Sequence, residues 1–235
     1  MLKRSFMAIL CGVIAAVGLS ATTTVTAASA APSCANVEVL FARGTAEPAP
    51  PVGLTGLSFG QALRGALPGK SVVVRGVNYP ASANFRDRIG LAQTVINGVK
   101  DTQNRITFLA RTCPQTRIVL GGYSQGAVVA GYAIAPRVTL PAQYRGSAPT
   151  PLPASVARNV AAVVLFAPPS ARFLRDAQAP AIEVGPLYRG KTIRYCIAGD
   201  TICNGAPLGQ PNGLHVLYAV NGDTVNAAGR VAARI

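Results

Sequence analysis

Arg117-Ile118-Val119-Leu120-Gly121-Gly122-Tyr123-Ser124-Gln125-Gly126-Ala127-Val128-Val129-Ala130 is the most informative stretch of this chain. Ile118–Leu120 is an apolar, partly β-branched run that reads as a buried strand, and Ala127–Ala130 opens a helix. Between them lies a G-x-S-x-G pentapeptide, Gly122–Gly126. A strand that turns sharply into a helix presents the serine hydroxyl at the C-terminal edge of a parallel sheet, where open α/β sheets collect ligands. The two glycines leave room for the turn, and the helix start brings partial positive charge close to any developing anion. Without this setting the pentapeptide would be a glycine-rich turn carrying an inert serine. The flanking strand and helix give it weight.

Outward from this turn, apolar runs alternate with helix-compatible stretches. Val37–Ala42, Val72–Tyr79, Arg117–Gly121, Val160–Phe166 and Thr192–Ile197 read as strands. Their continuous Val/Ile/Leu content suits strands covered on both faces. Ser58–Leu67, Arg86–Arg111, Gln125–Ala135 and the terminal Thr224–Ile235 read as helices, whereas Glu47–Gly56, Ala148–Pro153 and Gly205–Gly213 read as Pro/Gly-rich loops. Alternation of this kind predicts an α/β fold, a parallel sheet with right-handed crossovers in one domain.

A serine is mostly protonated at neutral pH and needs a base to attack. The chain holds one histidine, His215, near its end, where the α/β-hydrolase order places the base. The acid that orients it should lie between Ser124 and His215, which leaves Asp176, Glu183 and Asp200. Asp176 follows Arg172 and Arg175 and reads as a surface ion pair; Glu183 follows no strand. Asp200 follows the run Thr192–Ile197 through Ala198-Gly199, at a strand end. Cys196 and Cys203 bracket it, and a bond between them would close a small loop and restrain the carboxylate. An oxyanion hole needs two donors. The backbone N–H of Gln125 is one candidate, and Thr45, in the loop after the first strand, is the other.

The chain start has a different character. Lys3 and Arg4 precede the apolar run Phe6–Leu19, followed by a Thr/Ala-rich stretch that ends Ala28-Ser29-Ala30-Ala31. A basic start, a short apolar centre and small residues before a cut describe a secretory signal peptide over residues 1–31. Spanning a bilayer takes about 20 apolar residues, more than this run supplies. Residues 32–235 remain as one domain. The formal charge is +14, from 22 Lys+Arg against 8 Asp+Glu. No block of five basic residues and no aromatic-basic stripe accompany it, which speaks against nucleic acid and leaves a bias toward anionic cell-wall or lipid surfaces. Of five cysteines, Cys11 lies in the leader. The remaining four suggest two disulfides in an exported chain, with three pairings open. With one histidine and no C-x-x-C pair, no metal site is expected.

The blocks Phe41-Ala42-Arg43-Gly44-Thr45-Ala46-Glu47, Val77-Asn78-Tyr79-Pro80-Ala81, Gly121–Ala127, Cys196-Ile197-Ala198-Gly199-Asp200-Thr201-Ile202-Cys203 and Gly213-Leu214-His215-Val216 resemble, in order, the cutinase family, in particular its secreted actinobacterial members. The resemblance implies a cutinase-like α/β-hydrolase: a three-layer sandwich with a five-stranded parallel sheet and no large lid. It implies a triad of Ser124, Asp200 and His215, oxyanion donors Thr45 and Gln125, and the pairings Cys34–Cys113 and Cys196–Cys203. The chain is further expected to act as a monomer, without a cofactor, on lipid or polyester esters. Fungal members commonly carry Ser where this chain has Thr45, a change that could shift the hydroxyl donor.

Pro50, Pro51, Val52, Leu54, Leu57, Phe85, Leu208 and Leu214 are candidates to contact an acyl chain, with Pro50–Leu54 expected as an exposed apolar rim. Two other readings stay open: a carbohydrate deacetylase of the acetylxylan esterase kind, and a non-catalytic wall-associated protein on the same fold.

Overall fold

A computed structural model describes residues 34–47, 51–140 and 142–235. The leader read at residues 1–31 lies outside them, as does Pro50. Five strands form one parallel sheet in the order β2-β1-β3-β4-β5: β1 Val37–Ala42, β2 Val72–Gly76, β3 Arg117–Tyr123, β4 Val160–Phe166 and β5 Thr192–Tyr195. Every residue of β1 and β4 is buried, which explains why both strands read as unbroken apolar runs. Alternate side chains feed two cores. Leu40, Leu120, Val163 and Leu165 pack under helices α2 (Arg88–Thr112) and α3 (Gln125–Ala133). Val39, Phe41, Val119, Val164 and Phe166 pack under α1 (Gly53–Ala66) and α6 (Asp223–Ala232). The result is helix, sheet, helix in three layers.

Several boundaries differ from the sequence reading. Helix α1 starts at Gly53, inside the stretch read as the loop Glu47–Gly56, because the Glu47 carboxylate accepts the Leu54 N–H (3.0 Å) and caps the helix from outside. Val52 is consequently core, 6% exposed, and does not belong to an exposed rim. Strand β2 ends at Gly76 and β5 at Tyr195, each short of its expected end. Helices α4 (Ala171–Asp176) and α5 (Pro186–Arg189) and three 3-10 helices, Ala142–Ser147, Ala154–Asn159 and Gly213–Ala219, are too short to leave a periodic apolar pattern.

Two covalent ties join distant chain. Cys34–Cys113 links the start of β1 to the end of α2 over 79 residues, and Cys196–Cys203 closes a loop of sequence separation 7 around Asp200. In the chain-entropy account such closures stabilise by roughly 4–5 and 2–3 kcal/mol respectively. The buried charge on β1 is matched with equal care: Arg105 of α2 donates from Nε and Nη2 to both carboxylate oxygens of Glu38, at 2.7 Å each, with Glu38 4% exposed. Arg105→Ala would strand that carboxylate in the core. We expect a loss of about 3–5 kcal/mol, read as a melting temperature lower by roughly 10 °C, with the remaining folded protein fully active. An unchanged melting temperature would contradict this.

Candidate active site

Ser124 stands between β3 and α3 with φ 54° and ψ −116°, a conformation non-glycine residues rarely adopt and one that costs of order 1–3 kcal/mol. Its neighbours permit the turn. A Cβ on Gly122 would lie 2.2 Å from the Gly126 carbonyl oxygen, and one on Gly126 would lie 1.9 Å from the Ala42 oxygen. Both glycines are therefore demanded by close backbone approach.

Three remote segments meet at this turn. His215 Nε2 is 2.9 Å from Ser124 Oγ, and His215 Nδ1 is 2.9 Å and 3.0 Å from the Asp200 carboxylate oxygens. Asp200 is fully buried and His215 is 5% exposed. The carboxylate is otherwise satisfied: Oδ1 accepts the Ile202 N–H (3.0 Å) and Oδ2 accepts the Tyr218 hydroxyl (2.8 Å). This arrangement holds one imidazole nitrogen for the acid and turns the other toward the serine. The other acidic candidates lie elsewhere. Asp176 is 4.0 Å from Arg172 on exposed α4, and Glu183 is exposed in a loop.

The oxyanion candidates start from neighbouring strands, since Ala42 of β1 is in register with Gly122 of β3. Gln125 is the first residue of α3, where a backbone N–H has no partner within the helix. Thr45 lies in the turn Gly44–Glu47, closed by the Glu47 N–H to Gly44 oxygen bond (3.2 Å) and by the Gly44 N–H to Glu47 Oε2 bond (2.6 Å). One carboxylate thus ties this turn to the start of α1. Tyr79 donates its hydroxyl to the Arg43 oxygen and braces the same turn from behind. The Gln125 side chain donates to the Ser82 oxygen (3.1 Å) and anchors the loop after β2.

A family model described as Cutinase matches residues 33–235. The chain belongs to the cutinase family. It is 47% identical over 166 residues to a probable carboxylesterase, Culp7, of Mycobacterium tuberculosis, covering 71% of this chain and 86% of the relative. Among solved structures, a Trichoderma reesei cutinase with a phosphonate inhibitor aligns at TM-score 0.59 and 30% identity, covering 86% of this chain and 75% of that one. The catalytic core of a Trichoderma reesei acetyl xylan esterase shares the fold at TM-score 0.64 and 21% identity, covering 86% and 100%. The five-stranded parallel sheet between helical layers is the α/β-hydrolase architecture of these cutinases.

Two tyrosines of this cutinase-family site escaped the sequence reading. Tyr123 donates its hydroxyl to the His215 oxygen (2.6 Å), and its ring lies 5.2 Å from the imidazole. Tyr218, fully buried, accepts the Ile197 N–H (2.8 Å) while donating to Asp200. Burial, with help from the Asp200 carboxylate, pushes the Tyr218 phenol well above its ordinary value, so it stays a donor. A signal existed for it. In the 3-10 helix Gly213–Ala219, residues three apart share a face, and Tyr218 therefore follows His215 inward.

Tyr218→Phe removes one donor from a buried carboxylate and strands the Ile197 N–H. A hydrogen bond to a charged group is worth about 1.5–3 kcal/mol. We expect kcat to fall on the order of tenfold with KM unchanged, which a mere loss of packing would not produce. A wild-type kcat would remove Tyr218 from the positioning of Asp200.

Proposed function

We propose that this cutinase-family ester hydrolase works as a serine esterase on short- to medium-chain fatty acid esters, with Ser124 as nucleophile, His215 as base and Asp200 orienting it. The observation that carries the reading is the 2.9 Å contact between Ser124 Oγ and His215 Nε2, with Nδ1 held by a buried carboxylate. Ser124 attacks the ester carbonyl as His215 takes its proton, and Asp200 stabilises the imidazolium. The N–H groups of Gln125 and Thr45 receive the oxyanion. His215 then returns the proton to the leaving alcohol, and a water activated by the same histidine releases the acid.

The mouth supports apolar acyl chains. Leu54 and Leu57 of α1 and Val216, Leu217 and Val220 beside His215 are 36–79% exposed, and Leu208 is 46% exposed. Ser58 of α1 donates to the Ala219 oxygen (2.8 Å), which joins these two segments into one lip. Leu214 is half-buried and contributes less. Such a surface favours dispersed lipid over small acetyl groups. A p-nitrophenyl ester series tests this. Turnover should be higher with butyrate or longer acyl groups than with acetate, and a sharp fall beyond acetate would favour the carbohydrate deacetylase instead. Labelling by a fluorophosphonate probe separates either enzyme from a non-catalytic wall protein.

Secretion belongs to the same proposal. Two disulfides and the leader composition of residues 1–31 support an extracellular or wall-associated protein, and no described helix is long and apolar enough to cross a membrane. N-terminal sequencing of protein from culture medium should begin within a few residues of Pro32.

A further inference from the structure

Strand β3 begins at Arg117 and Ser124 follows its last residue, so the two stand at opposite ends of the sheet. At about 3.3 Å per residue the separation is roughly 20 Å. Because all five strands are parallel, the chain that leaves the helices and enters the strands gathers at the Arg117 end. Segments 64–71, 109–117, 134–159, 186–192 and 229–235 lie there, and together they carry eleven Lys and Arg with no Asp or Glu. The segments at the Ser124 end, 43–57, 77–88, 167–178 and 196–223, carry five Arg against five Asp and Glu. The positive surplus of the fold is therefore collected at the end remote from the nucleophile.

Four of its cations form a connected cluster. Arg117 Nη1 donates to the Arg158 oxygen (3.2 Å) and Nη2 to the Arg234 oxygen (3.5 Å), while Arg234 Nη1 donates to the Lys191 oxygen (2.9 Å). Lys191 Nζ donates to the Ala157 and Val160 oxygens (2.8 and 3.0 Å). These acceptors are neutral carbonyls, and none of the four cations forms an ion pair with a carboxylate among the described residues. Burial, and then the Arg117 charge, pull the Lys191 ammonium below its ordinary value. Next to Lys191, a crevice of about 220 Å³ is lined by Val184, Arg189, Thr192 and Arg194. Arg189 and Arg194 also donate to carbonyls, of Val184 (3.3 Å) and Ile182 (3.5 Å), and the exposed Glu183 between those two pairs with neither. The carboxylates at the Ser124 end, roughly 20 Å away, lie beyond the Debye length of about 10 Å at 0.1 M salt and do not neutralise this charge.

We propose that this end of the molecule, centred on Arg117, Lys191 and Arg234, binds an anionic polymer of the extracellular surface that carries phosphate groups at intervals along a hydrated chain, leaving the Ser124 mouth turned outward. The inference rests on the extracellular, wall-associated reading above. Guanidinium matches phosphate oxygens by parallel N–H···O bonds, and repeated groups on one chain engage several cations together. A lipid surface suits the other end, where Val216, Leu217 and Val220 expose apolar surface beside His215. At the basic end the exposed large apolar side chains are Leu187 and, a turn before the end of α2, Phe108.

The test measures binding to poly(glycerol phosphate) and to phosphatidylglycerol vesicles, which present the same anion on a polymer and on a lipid surface. Wild-type protein should bind the polymer at low ionic strength, with a Kd that rises steeply as salt is added. The bound protein should hydrolyse p-nitrophenyl butyrate as fast as the free one. Arg117→Gln/Arg234→Gln and, at exposed positions, Arg158→Gln/Arg189→Gln should each raise the Kd for the polymer on the order of tenfold. Ester turnover should stay unchanged in both, with melting temperatures recorded beside it. Absence of binding, a Kd that neither double variant moves, or turnover suppressed by the polymer overturns the inference. So does a loss of binding seen on vesicles and not on the polymer. Protein retained inside the cell with its leader uncut would instead defeat the extracellular reading, and a free enzyme without turnover would defeat the esterase reading.

Discussion

Ser124→Ala is expected to abolish hydrolysis of p-nitrophenyl butyrate, lowering kcat by roughly 10⁴–10⁶-fold, with thermal unfolding shifted by no more than about 2 °C. The change deletes one oxygen. That oxygen is partly exposed, and its side-chain partner is His215 Nε2. Alanine keeps the Cβ, so the φ of 54° is no more strained than before. What remains is an imidazole with nothing to deprotonate but water, and an oxyanion site that can still bind a carbonyl. Retained turnover near the wild-type value would defeat the nucleophile assignment, and a collapsed melting temperature would show that Ser124 also carries fold stability.

Asp200→Asn has the second large effect, on the order of 10⁴ in kcat with KM little changed. The carboxylate accepts from three donors, Ile202 N–H, Tyr218 hydroxyl and His215 Nδ1, in a site without solvent. An amide supplies one oxygen and one NH₂ in the same space. The NH₂ must face one of those donors. Turned to Nδ1, it forces the imidazole proton onto Nε2, the atom that should receive the serine proton. An unmatched buried donor also costs about 1–3 kcal/mol, so the melting temperature should drop by several degrees. A kcat within tenfold of wild type would remove Asp200 from the orienting role.

The centre of the sheet was legible because β1 and β4 are buried on both faces. Val37–Ala42 and Val160–Phe166 are continuous apolar runs with the bounds the sequence suggested. The elbow was legible because its strand, pentapeptide and helix are contiguous in sequence, although the backbone that demands glycine at 126 is that of Ala42 on β1. The start of α1 was not, since its cap is a Glu47 side chain reaching seven residues along the chain to the Leu54 N–H. Composition alone suggested a rim over Pro50–Leu54, but Val52 turns into the core. His215 and Asp200 emerged by scarcity and elimination, whereas Tyr123 and Tyr218 look like ordinary aromatics until their hydroxyl partners are known.

By itself, the order of residues determined a parallel α/β chain with one histidine late in it, a serine at a tight strand–helix turn and a surplus of arginine. Periodicity, glycine spacing and scarcity are properties of neighbours along the chain. Only the tertiary structure decided that residues 91 apart approach to 2.9 Å and that a buried tyrosine donates to the acid. Hydrogen bonds act over about 3 Å and sheet registration chooses which loops come that close, so these partnerships belong to the fold.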